Sequence, residues 1–180
     1  PDDVVAGAPG RVARALARLH RAPDHPGTPA VRAAYRSLPR WAYGAGAAPA
    51  GRPRALVHGD WHLGQLVRLP DRGWLLVDVD DLGYGDPVWD LARPAAWYAT
   101  GLLAPDSWHR FLDAYRRAGG PAVAADGDPF QPPGSELDTV ARALVVQMAA
   151  LALAAAARER RDLDELDQVL VDTSRRIAAG

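Results

Sequence analysis

Three oxygen-bearing side chains within one stretch of this sequence, Asp60, Gln65 and Asp78, have types and spacing that suit chemistry on a phosphate. They lie in the run 56–92, LVHGDWHLGQLVRLPDRGWLLVDVDDLGYGDPVWDLA. A carboxylate can accept or orient the proton of an attacking hydroxyl. A side-chain carbonyl and a second carboxylate can hold magnesium against nucleotide phosphates.

The elements around these residues must bring them together. Ala55-Leu56-Val57 reads as a short strand that enters the site, and His58-Gly59-Asp60 is a polar break carried by a glycine. Leu66–Leu69 and 74–77 are β-prone runs on either side of Pro70-Asp71-Arg72-Gly73, a turn with proline early and glycine late. The pattern predicts a hairpin with Asp60 and Gln65 on one arm and Asp78 at the end of the other. Gly83 and Gly85 would allow the sharp backbone path of a loop beneath phosphates. Asp86 and Pro87 suit the N-cap and first position of a helix. Asp90, inside that helix beside Trp89 and Leu91, is costly to bury unless it finds donors. Pro94 is expected to kink the helix or end it early.

The spacing H-G-D-x-x-x-x-Q matches the kinase catalytic-loop pattern H-R-D-x-x-x-x-N. With Gly83-Tyr84-Gly85-Asp86-Pro87-Val88-Trp89-Asp90-Leu91-Ala92, it resembles the aminoglycoside phosphotransferase and choline kinase family, small-molecule kinases with a protein-kinase-like fold. His62-Leu63-Gly64-Gln65 also resembles the maltokinase and glucosamine kinase branch. The resemblance implies that Asp60 is the catalytic base or hydroxyl-orienting carboxylate. It implies that Gln65, where the family usually has asparagine, and Asp78 are ligands of Mg2+. His58 and Asp90 would brace the catalytic loop, with backbone amides of that loop as the donors that Asp90 needs. Asp80 and His62 could support the metal site from behind, or Asp80 and Asp81 could be solvated turn residues. The implied donor is ATP or GTP. The implied acceptor is a hydroxyl of a small polar molecule such as an aminoglycoside, amino-sugar, sugar or choline-like alcohol. The substrate-binding residues are unknown at this stage.

Bulk composition limits the remaining possibilities. The 180 residues suffice for one domain with a sizeable core. A net charge of −1 implies no general attraction to nucleic acid, and the absence of cysteine excludes disulfides and thiolate metal sites. The apolar run 143–157 is broken by Gln147 and is too short to span a bilayer, so no membrane is expected and a cytoplasmic location is. All 21 basic residues are arginine, and there is neither a lysine nor a G-x-G-x-x-G loop ahead of the catalytic segment. A kinase needs a lysine on its nucleotide-binding lobe. The expected fold is therefore mostly α with a small β-hairpin (α+β), the C-terminal lobe of a kinase-like enzyme. Residues 1–180 would form one domain, the N-terminal lobe would be missing, and the isolated chain would be inactive.

The rest of the chain reads as helices. Val12, Leu16 and Leu19 mark an amphipathic helix over 9–21, with His20 as a favourable cation at its C-terminus or as a contact to substrate. Thr28-Pro29 starts a second helix, with Val31, Tyr35 and Leu38, which ends near Pro39. Trp41 and Tyr43 are packed or line a pocket, and 44–53 is a Gly/Ala/Pro connector. A helix over 104–119 presents Trp108, Phe111, Leu112 and Tyr115, and an irregular loop follows over 121–134. A long helix from Ser135 to about Arg160 should have a buried spine at its centre, 144–157, which is apolar almost all round. A last helix from Asp162 should turn Leu163, Leu166, Val169, Leu170 and Ile177 inward. Asp164, Glu165, Asp167 and Asp172 on it form a solvated face or line a cationic-substrate site.

Two rival functions remain. His58, Asp60 and His62 share a face in an extended chain and could be a metal-hydrolase cluster. Alternatively, the chain could be a non-catalytic kinase-like module that binds a metabolite or partner.

Overall fold

Five α-helices and four short strands make up the described part of the chain. The computed structural model describes residues 2–22, 54–69, 71 and 73–179. The predicted helix from Thr28 to Pro39, Trp41, Tyr43, the connector 44–53, and Pro70 and Arg72 of the hairpin turn lie outside the described residues. The elements in order are α1 (Asp2–His20), β1 (Ala55–Val57), a 3-10 turn (Leu63–Gln65), β2 (Leu66–Leu69), β3 (Gly73–Leu76), β4 (Gly83–Gly85), α2 (Val88–Ala99), α3 (Pro105–Arg117), α4 (Glu136–Glu159) and α5 (Glu165–Ala179). The protein is mostly helical with small antiparallel sheets, as expected.

The strands form two separate pairs. β2 and β3 are the predicted hairpin, in register from Leu66 opposite Leu76 to Leu69 opposite Gly73. The second pair was not expected. β1 lies antiparallel to β4, with Ala55, Leu56 and Val57 opposite Gly85, Tyr84 and Gly83. Gly83 and Gly85 are therefore buried strand residues rather than a loop.

One main core joins α1, α2, α3 and the first half of α4. It contains Val12, Leu16, Val57, Trp61, Leu91, Trp108, Tyr115, Leu137, Val140 and Val145. α1 packs on α3, α2 on α4, and α4 on α5. Three expectations about these helices need correction. α1 begins seven residues before Pro9. α2 continues through Pro94 to Ala99 and is not ended by it. The lost hydrogen bond and ring clash cost about 3 kcal/mol. Burial of Val88, Trp89 and Leu91 on this helix, each worth about 1.5–3 kcal/mol, outweighs that cost.

The long helix is the third. Ser135 caps α4 by accepting from the Asp138 N–H at 3.4 Å, and Asp138 reaches back to the Gly134 N–H at 2.7 Å. By length and composition alone the 24-residue α4 could cross a membrane, which the shorter run 143–157 did not suggest. It is a buried spine only in its first half. Leu151 and Leu153 are exposed, because α5 covers one side of the second half. The last helix turns inward most of the residues predicted: Leu170 is buried, and Ile177 and, just ahead of α5, Leu163 pack against the core clusters. Leu166 is exposed instead, and Val171 is buried beside Leu170. The helix starts one turn later than Asp162, because Asp164 caps it by accepting from the Asp167 N–H at 2.8 Å.

Candidate active site

The segment 58–60 is held in place by one buried carboxylate. Asp90 stands in the first turn of α2 and is fully buried. Its Oδ2 accepts from the His58 backbone N–H at 2.7 Å, and its Oδ1 accepts from that of Gly59 at 3.0 Å. Asp86, two residues before α2, receives the Val88 N–H at 3.0 Å, so α2 starts at a fixed point. The loop before Asp60 is thereby tied to the end of a helix rather than left to solvent.

A second chain of contacts reaches Asp90 from the opposite side. His20 Nε2 donates to Asp90 Oδ2 at 3.0 Å, and the Tyr115 hydroxyl lies 2.6 Å from His20 Nδ1. The Ala122 N–H in turn donates to the Tyr115 oxygen at 3.2 Å. The donors run in one direction: Ala122 to Tyr115, Tyr115 to His20, His20 to Asp90. Burial pushes the Tyr115 phenol well above its ordinary range, and the nearby Asp90 carboxylate adds to the effect. The hydroxyl therefore keeps its proton and remains a donor. The helix dipole alone does not account for His20, whose ring is engaged by Asp90 and Tyr115. His20 is buried, because it continues the inward stripe of Val12 and Leu16 by one further turn.

His58 ties the two halves of the site together. Its ring is fully buried, and Nε2 donates to the Val77 carbonyl at 2.9 Å, one residue before Asp78. His58 Nδ1 finds no partner among the described residues. Gly59 completes the contact between the two loops. It has φ +90, and a Cβ there would lie 2.5 Å from the Asp81 carbonyl oxygen. Only glycine tolerates both that φ and the closeness of the Asp81 backbone.

Gln65 and Asp78 meet where the hairpin predicted. The Val77 N–H donates to the Gln65 carbonyl at 2.9 Å, which extends the β2–β3 ladder by one step. Beyond it, Gln65 Nε2 donates to Asp78 Oδ2 at 2.8 Å. Asp78 takes φ 58, in the left-handed region that non-glycine residues seldom adopt. This backbone strain turns the chain sharply at the end of the strand and leaves the carboxylate exposed. Asp80 and Asp81 are exposed on the following turn. The set of one carboxylate and one amide, with further carboxylates close by in sequence, suits a hard cation such as magnesium. Such an ion keeps several waters and takes few protein ligands.

Asp60 is half exposed, and the Arg93 guanidinium from α2 donates to its Oδ1 at 2.8 Å. His62 is turned to local use, its Nδ1 accepting from the Gly64 N–H at 3.0 Å at the start of the 3-10 turn. His58, Asp60 and His62 therefore do not converge, and no group of three or more His, Asp or Glu side chains suited to a metal occurs among the described residues. The metal-hydrolase alternative therefore finds no ligand set among the described residues. Two acidic residues of α5 are engaged locally, and Asp164, Glu165 and Asp172 line an open cleft with Gln168 and Arg176. Arg161 pairs with Asp167 at 2.6 Å and holds its carboxyl below the usual carboxylate range. Asp172 binds Arg175 and Gln168.

Sequence reasoning missed Arg93, Tyr115 and His20 as parts of this site. Arg93 could have been found, as the one cation in an otherwise apolar helix, three residues after Asp90 and so near the same face. Tyr115 was read as an apolar stripe residue, and nothing local distinguishes its hydroxyl.

Comparison with known proteins gives the family. A family model described as the phosphotransferase enzyme family matches residues 29–132, more than half of the chain. No curated protein matches the chain significantly.

Proposed function

The chain belongs to the phosphotransferase enzyme family, and from that premise we propose that it transfers the γ-phosphoryl group of ATP or GTP to a hydroxyl of a small polar molecule. The observation that carries the reading is the meeting of Gln65 and Asp78 at 2.8 Å beside a loop that Asp90 and His58 tie down just before Asp60.

In the proposed reaction Asp60 accepts a hydrogen bond from the acceptor hydroxyl and aligns its oxygen with the γ-phosphorus. That oxygen forms the new P–O bond, the bond to the β–γ bridging oxygen breaks, and the hydroxyl proton passes to Asp60. Arg93 holds one oxygen of Asp60 and so fixes the direction of the other. The side chains of Gln65 and Asp78 would hold magnesium, which offsets negative charge on the phosphates when bound. Asp90 and His58 keep the two loops in register and do not touch the reacting atoms. Most of the acceleration would come from positioning and electrostatics.

The chain has no lysine to grip the α- and β-phosphates. We therefore expect that grip to come from outside these 180 residues. The test is nucleotide binding by the full-length protein with and without magnesium. ATP should bind at least about tenfold more tightly with the ion, and Asp78→Ala should abolish the difference. Binding indifferent to magnesium in the unmodified protein would refute the assignment of Gln65 and Asp78.

A further inference from the structure

We infer that Trp61, Gln147 and Arg93 form the acceptor subsite beside Asp60, and that this subsite takes an uncharged polyhydroxylated molecule. The inference rests on the phosphotransfer reading and narrows its substrate. A cleft of about 90 Å³ opens next to Asp60, lined by Trp61, Arg93, Leu144 and Gln147. Trp61 Nε1 and Gln147 Oε1 are both buried from solvent, and neither has a hydrogen-bond partner among the described residues. Trp61 as a whole is only 3% exposed. Buried polar atoms are seldom left unpaired, and each costs free energy until something answers it.

The two atoms ask for complementary partners. An indole N–H only donates, and an amide oxygen only accepts. A hydroxyl does both, so neighbouring hydroxyls of one small molecule can satisfy the pair together. Gln147 also lacks a structural explanation. It is the one polar side chain in the run 143–157 of α4, and it lines the cleft beside the carboxylate assigned to the reacting hydroxyl.

Charge and shape limit the ligand further. A second, apolar cleft adjoins the first across Trp61 and Arg93, and Pro94, Trp97 and Phe111 line it. Aromatic faces of this kind suit the apolar C–H faces of a sugar ring. Among the described residues that line the two clefts, Asp60 is the only carboxylate, and Arg93 already pairs with it. A polycation would meet the Arg93 guanidinium with no spare carboxylate to answer its amines, whereas an uncharged polyol meets no such repulsion.

The experiment measures binding and phosphorylation of glucose, maltose, myo-inositol and kanamycin by the full-length protein, unmodified and as Gln147→Leu and Trp61→Phe. At least one uncharged polyol should bind and be preferred to kanamycin. Gln147→Leu should raise its KM about tenfold and leave the KM for nucleotide alone. Because Gln147→Leu removes an unpaired polar atom and keeps the bulk, its melting temperature should not fall, and Trp61→Phe provides a second, independent loss. Polyol binding that weakens in both variants, without any phosphorylation, would uphold the subsite and refute phosphotransfer. Preferential phosphorylation of kanamycin, polyol affinity unmoved by Gln147→Leu, or no polyol binding at all would overturn the subsite, whatever the reaction proves to be.

Discussion

Asp90 accepts two backbone amides and the His20 ring from a position sealed from water. Replacing it with alanine removes all three acceptor contacts and leaves their donors buried. Asp90→Ala is therefore expected to lower stability by about 3–5 kcal/mol, as read by denaturant unfolding. A loss below about 1 kcal/mol would show that the loop is held by something else. Tyr115 gives a test in pH. Its folded-state pKa is raised above the ordinary value near 10. The unfolded chain thus loses the phenolic proton first as pH rises. The stability Tyr115 contributes is whole below pH 10 and declines above it toward the folded value. Melting temperatures measured from pH 9 upward should fall with a component that Tyr115→Phe removes. An unchanged alkaline slope in that variant would contradict the assignment.

Among the elements, the β2–β3 hairpin was the most legible in the sequence, because a turn motif separates two β-prone runs. It delivers Gln65 and Asp78 to each other as the register requires. The β1–β4 pair was not legible. Gly-Tyr-Gly carries little strand preference, and its pairing is made by tertiary contact with a strand 26 residues earlier. Pro94 misled for a related reason, since burial of the surrounding helix decides its fate and local propensity does not. On α5 the inward stripe was legible except at Leu166, which is exposed, and at Val171, which packing buries beside Leu170. At this scale Gly59 is where the two loops come closest to a steric limit. Gly59→Ala combines an unfavourable φ with a clash against Asp81, and should cost about 1–3 kcal/mol. It should also lower turnover, since the two loops can no longer pack as they do. Full activity and stability in Gly59→Ala would mean that their close approach is dispensable.

Taken as a whole, the molecule is a mostly helical body with its proposed chemistry at one edge, where α2 begins and the hairpin ends. The family and the fold class were legible because a few residues at fixed spacing carry them. The acceptor cleft was not. Trp61, Arg93 and Gln147 come from three places in the chain, and only folding brings them together. The absence of lysine was also plain in the sequence, and it yields a prediction about the chain itself. The 180 residues alone should hydrolyse or transfer little ATP, and addition of magnesium should not restore turnover. Robust ATP turnover by these residues alone would show that no further phosphate grip is required.

The role of Asp60 as the carboxylate that receives the acceptor hydroxyl tests the account most directly. The measurement is steady-state phosphoryl transfer by the full-length protein carrying Asp60→Ala, with folding checked by its melting curve. Turnover should fall by roughly a hundredfold or more while the melting temperature stays close to that of the unmodified protein, because Asp60 is half exposed and its pairing with Arg93 contributes little stability. Turnover equal to that of the unmodified protein would contradict the account.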